Sequence, residues 1–230
     1  MDTFIAQPDG AGPFRSVVMF QNVGGLSETM RIMARRVAEK GYLCAIPDLY
    51  FRLGKIVLDP DSKMPEVLQI RQIVLTTLKN ERVMQDTRAL LRYLDDDLKV
   101  KPGPKGTIGY CGGGRFCVLA AGTFPEHFAA TGSLFGTRFV TASADSPHIV
   151  LPRIRGEIYV GHAEHDHHIT PAEQQEFNAL LKKCPVVSEI ETHPGTEHGY
   201  AFPGRVVYNQ RAAERSWERI FAMFERQLPL

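Results

Sequence analysis

At 230 residues, with 43% hydrophobic and 23% charged side chains, the chain has the size and composition of one ordinary domain, residues 1–230, able to bury a core without disulfides. A net charge of +1 offers no electrostatic footprint for nucleic acid or an anionic membrane surface, and no run approaches 18 apolar residues, so neither partner is expected. The four cysteines (Cys44, Cys111, Cys117 and Cys184) form no C-x-x-C pair, and no basic stretch followed by an apolar one opens the chain; both features point to a reducing, cytoplasmic setting.

The first β-rich run is 16–21, Ser-Val-Val-Met-Phe-Gln. Ser27 is placed to cap a helix through residue 40, with Met30, Met33, Ala34 and Val37 on one face and Gly41 ending it. A strand is expected over 42–46, then a loop over 48–63 containing Gly54, Pro60 and Asp61. Helices are expected over 64–79 and 81–97, a strand over 106–110 and a small-residue helix over 113–123. Strands at 128–135, 156–161 and 186–192 alternate with a helix over 171–183, and a long helix covers 208–228. This alternation predicts an α/β fold, a mostly parallel central sheet with helices on both faces. Such sheets place their ligand sites beyond the C-terminal ends of the strands.

Three short stretches fall at that edge. Gly109-Tyr110-Cys111-Gly112-Gly113 has the form G-x-nucleophile-x-G between a predicted strand and helix. A nucleophile on so sharp a turn needs neighbours without bulk, and the next N–H, from Gly112, lies at a helix N-terminus where it can donate to an oxyanion. A phosphate-binding loop is disfavoured, because Arg115 and Phe116 stand where its Lys-Ser/Thr ending would be. Asp166 follows the strand 156–161, and His198 follows the next one. The chain order nucleophile, acid, histidine is that of α/β-hydrolases and differs from those of chymotrypsin and subtilisin. Cys111, Asp166 and His198 are therefore the candidate catalytic residues.

Nearly the whole chain resembles the dienelactone hydrolase (carboxymethylenebutenolidase) family. The elbow at 109–113 resembles its cysteine elbow, and Gly41-Tyr42 with Pro47-Asp48-Leu49-Tyr50 resembles its "GY…PDLY" stretch. Asp166 falls in its acid loop, Glu197-His198-Gly199-Tyr200-Ala201-Phe202 resembles its histidine loop, and Trp217-Glu218-Arg219 its terminal helix. The resemblance implies an α/β-hydrolase fold, no cofactor, and hydrolysis of a small-molecule ester or lactone through a thioester. It also implies that the Val23 N–H is the second oxyanion donor. The family's best-known pattern carries Gln-Glu after the first strand. Here the stretch reads Gln21-Asn22-Val23-Gly24-Gly25, so its carboxylate switch on the thiol does not carry over. Arg82 and Arg205 lie nearest in sequence to the family's substrate arginines.

His162, His165, His167 and His168 surround Asp166 and raise a metal site as an alternative, although they lack the HExxH spacing and sit too close in one loop to converge. No metal is expected. The candidate substrate pocket takes Asn22, Phe135, His168 and Tyr200. The competing readings are a catalytically silent binding or redox-sensing protein on the same fold, and a metallohydrolase built on the 162–168 histidines.

Overall fold

Small and β-branched apolar residues leave the central strands with no polar face, and in the computed structural model, which describes residues 1–230, these strands are buried along their full length. In chain order the strands are β1 (Thr3–Ala6), β2 (Ser16–Phe20), β3 (Leu43–Pro47), β4 (Lys105–Tyr110), β5 (Phe128–Leu134), β6 (Glu157–His165) and β7 (Val187–Glu197). They form one sheet in the order β1-β3-β2-β4-β5-β6-β7, parallel throughout except where β1 pairs antiparallel with β3. The helices are α1 (Glu28–Glu39), α2 (Pro65–Thr77), α3 (Asn80–Asp96), α4 (Gly112–Thr123), α5 (Pro171–Leu181) and α6 (Gln210–Gln227).

Alternate residues of β2 feed two separate cores. Val18 and Phe20 join a cluster with α3, α4 and α5, while Val17 and Met19 join one with α1 and α6. Helices thus cover both faces, as the alternation of elements predicts. The expected helices and parallel strands all form, with ends moved by a few residues. Three features differ from expectation. β1 is an unforeseen edge strand, because four residues carry too little pattern to declare themselves before β3 is there to pair with. A 3₁₀ turn at Pro147–Arg153 packs on α4. β6 and β7 run past 161 and 192 to His165 and Glu197, so they carry their last residues beyond the rest of the sheet.

Local caps hold the segments that flank this edge. Ser27 Oγ accepts the Met30 N–H at the start of α1. Thr170 and Glu173 form a reciprocal capping box at α5, which anchors the far end of the loop that begins at Asp166. Asn209 caps α6, and its own N–H donates to Tyr200 O, tying the histidine loop to that helix.

Candidate active site

β4 is the middle strand of the sheet, and α4 starts one residue after Cys111. Cys111 occupies the turn between them at φ 55° and ψ −125°, a conformation that an L-residue adopts only under constraint. The constraint comes from close backbone packing. A Cβ on Gly109 would sit 2.1 Å from Gly113 O, and one on Gly113 would sit 2.4 Å from Phe20 O and 2.5 Å from Gln21 O. Only glycine lets α4 approach β2 this closely. Gly112 is different, since nothing lies within 4 Å of the position its Cβ would take.

The extended pair β6 and β7 delivers the other two residues. His165 and Glu197 are register partners, so Asp166 and His198 leave the sheet side by side. The His198 Nδ1–H donates to Asp166 Oδ2 at 2.8 Å, and the His168 N–H donates to Asp166 Oδ1 at 2.8 Å. The Asp166 side chain is fully buried, and Phe135 packs edge-on against the His198 ring at 5.1 Å. His198 Nε2 is buried with no nitrogen or oxygen partner, which leaves it to the Cys111 thiol.

Electrostatics couple the two groups. Burial opposes a charge on His198, but the Cys111 thiolate and Asp166 outweigh it and raise the imidazole to about 9. Burial likewise opposes the thiolate, yet the His198 charge, its hydrogen bond and the Gly112 N–H hold Cys111 below the ordinary thiol value. Both shifts run in the direction of a charged pair, thiolate and imidazolium.

These groups open on a cavity of about 210 Å³. Val23 and Gly112, the expected oxyanion donors, both line it, as do Asn22 and His168. Asn22 Oδ1 accepts the Gly24 N–H at 2.9 Å, and Tyr50 Oη donates to Val23 O at 3.0 Å, so this loop is shaped from within. Phe135 and Tyr200, also expected at the pocket, are fully buried behind His198 and meet edge-to-face instead of forming its wall. Arg205 reaches the cavity; Arg82 does not.

The histidines around Asp166 diverge. His162 is fully buried on β6 and bonds Asn178, His165 lies by Glu164 in solvent, and His167 is largely exposed. His168 places its ring 4.4 Å from that of His198. Burial, then the His198 charge, push His168 below the usual imidazole value, so it stays neutral beside the pair. No group of three or more His, Cys, Asp or Glu side chains has the arrangement to hold a metal ion.

The sequence model of the Dienelactone hydrolase family matches residues 1–228. The chain belongs to the dienelactone hydrolase family. A carboxymethylenebutenolidase of Rhodococcus opacus is 27% identical over 218 residues, spanning 93% of this chain and 81% of that protein. Among solved structures, the protein designated m3DLH superposes with a TM-score of 0.79 at 22% identity, covering 98% of this chain and 92% of the other. The dienelactone hydrolase-like promiscuous phosphotriesterase P91 from metagenomic libraries superposes with a TM-score of 0.76 at 20% identity, covering 95% and 88%.

Within this dienelactone hydrolase frame, four arginines line the cavity: Arg71, Arg115, Arg138 and Arg205. Sequence reasoning passed over the first three as candidate pocket residues. Arg115 carried a signal, since a residue four after the elbow nucleophile lies on the first turn of α4. Arg71 on α2 and Arg138 after β5 carried none, because they reach the site only through the packing of distant elements.

Proposed function

We propose that this dienelactone hydrolase family member is a cofactor-independent thiol hydrolase of small esters or lactones, acting through Cys111, His198 and Asp166. The observation that carries this reading is the strained Cys111 elbow opening on the same small cavity as a His198 imidazole already oriented by Asp166. The Cys111 thiolate attacks the acyl carbon, and the N–H groups of Val23 and Gly112 receive the developing oxyanion. As the tetrahedral adduct collapses, the C–O bond breaks and His198 gives its proton to the leaving alkoxide. A thioester and a neutral imidazole remain. With the thiolate charge gone, His198 loses the influence that raised it and becomes a base. It takes a proton from water, which attacks the thioester and releases the carboxylic acid and the thiol. Asp166 holds the imidazole tautomer throughout.

The small volume and the apolar walls from Leu75, Leu78, Phe116 and Phe202 suit a compact acyl group. Lactones come first for testing, given the name of the Rhodococcus opacus relative. The decisive assay runs a panel of esters and lactones against the wild type and Cys111→Ala in parallel. Turnover in the wild type that vanishes in Cys111→Ala is expected. Turnover surviving the substitution overturns the nucleophile, and a reactive Cys111 without any turnover favours a binding or redox-sensing protein.

A further inference from the structure

Arg115 is 5% exposed, yet it forms no ion pair and no hydrogen bond within the protein; its Nε is among the buried polar atoms without a partner. Its ring-face contact with Phe116, at 4.5 Å, offers no acceptor. A buried guanidinium left this way is costly unless something outside the chain completes it. The other cavity arginines differ in kind. Arg205 is paired with Asp61, and Arg71 is tied to the carbonyls of Asp59, Pro60 and Ser62. Arg138, exposed and held at φ 58°, has no acceptor either.

Arg115 and Arg138 also sit at a junction. They line both the Cys111 cavity and an adjoining groove of about 350 Å³ that contains Lys79 and Asn80, whereas Cys111, His198 and Arg205 line only the first of the two. The groove holds three cations against one carboxylate, Asp145, which already accepts the Ser143 hydroxyl. Burial first, and then repulsion from Arg138, push Arg115 down to about 10; Cys111, Asp145 and Tyr50 act on it in the opposite sense. Arg115 therefore remains charged at neutral pH.

We propose that Arg115 and Arg138 form a binding site for a dianionic oxyanion group of the substrate, a phosphate or phosphonate, carried at the end of the substrate remote from the bond that Cys111 attacks. Two neighbouring guanidiniums repel one another, and a dianion neutralises both where a single carboxylate leaves one uncompensated. The planar donor forks of arginine match the oxygens of a tetrahedral anion. The groove past Lys79 gives such a group a route in from solvent. Binding at this site does not require the thiol chemistry; the benefit to turnover rests on the function proposed above.

Calorimetric titration with inorganic phosphate at fixed ionic strength tests the site directly, using wild type, Cys111→Ala, Arg115→Gln and Arg138→Gln. Phosphate is expected to bind the wild type and Cys111→Ala alike, and about tenfold or more weakly to each arginine variant. Arg138 is exposed, so its variant remains informative if Arg115→Gln fails to fold. Heats no larger than those with chloride, or binding intact in both arginine variants, overturn the site. A second arm compares 4-nitrophenyl esters of equal chain length ending in phosphonate or in methyl. A kcat/KM preference for the phosphonate that disappears in Arg138→Gln is expected, and its absence in an active wild type overturns the substrate assignment. If no ester is turned over while phosphate binds through the two arginines, the hydrolase reading has failed and the anion site stands.

Discussion

Cys111 and His198 are each other's main favourable influence, so neither can be altered alone. In the proposed mechanism Asp166 acts through the ring it orients. Asp166→Asn should keep the fold and lower kcat by about 10³- to 10⁴-fold, since the amide permits the wrong tautomer. Stopped assays alongside circular dichroism check this, and wild-type rates would mean that another group orients His198. The same coupling sets the pH profile. Turnover should decline above about pH 9, as His198 loses the proton it gives to the leaving group, and decline in acid as Cys111 is protonated below its lowered pKa. A kcat/KM profile that stays flat through pH 9 would remove His198 as the acid. The lowering of the Cys111 thiol can also be read without any substrate. Burial pushes Cys117 up to about 12, and it raises Cys44 further and Cys184 as well. Brief iodoacetamide treatment at neutral pH, read site by site in a mass spectrometer, should label Cys111 first, with the lead shrinking in His198→Ala. Faster labelling of Cys184 would contradict the lowered Cys111 thiol.

The elbow is a property of β4, α4 and β2 together rather than of Cys111. Gly109-Tyr110-Cys111-Gly112-Gly113 is legible in sequence as a tight turn, yet its two packing glycines do different work from Gly112. Gly113→Ala forces a Cβ against the carbonyl oxygens of Phe20 and Gln21 and should cost about 1–3 kcal/mol, with loss of turnover as the turn shifts. Gly112→Ala meets nothing and should leave stability unchanged or raise it by up to about 1 kcal/mol. Urea denaturation of the pair decides the matter, and equal losses would refute the packing account. β6 and β7 show the opposite relation between pattern and element. Their apolar stretches predict strands that end near 161 and 192, but pairing carries the ladder on to His165 and Glu197 through polar residues. Side-chain pattern reads burial, whereas these last residues are held by backbone hydrogen bonds with a neighbour. That extension brings Asp166 and His198 to the same height.

Across the whole molecule, helices on both faces leave the C-terminal strand edge as the place where loops from β2, β4, β6 and β7 meet. The histidines near Asp166 are dispersed among the core, solvent and the cavity, so turnover should survive exhaustive chelation; loss that added zinc restores would revive a metal centre at 162–168. No helix is long and apolar enough to cross a membrane. What the amino-acid order determined by itself was the alternation of strands and helices, the glycine-bounded elbow and the succession Cys111, Asp166, His198. The elements and the elbow depend on residues a few positions apart, where steric and capping rules act directly, and the succession follows from the order of the short motifs along the chain. The antiparallel edge strand β1, the burial of Phe135 and Tyr200 behind His198, and the meeting of Arg71, Arg115, Arg138 and Arg205 were decided only in the folded structure. They depend on which distant segments lie side by side, and that follows from sheet order and helix packing, for which no local spacing carries a signal.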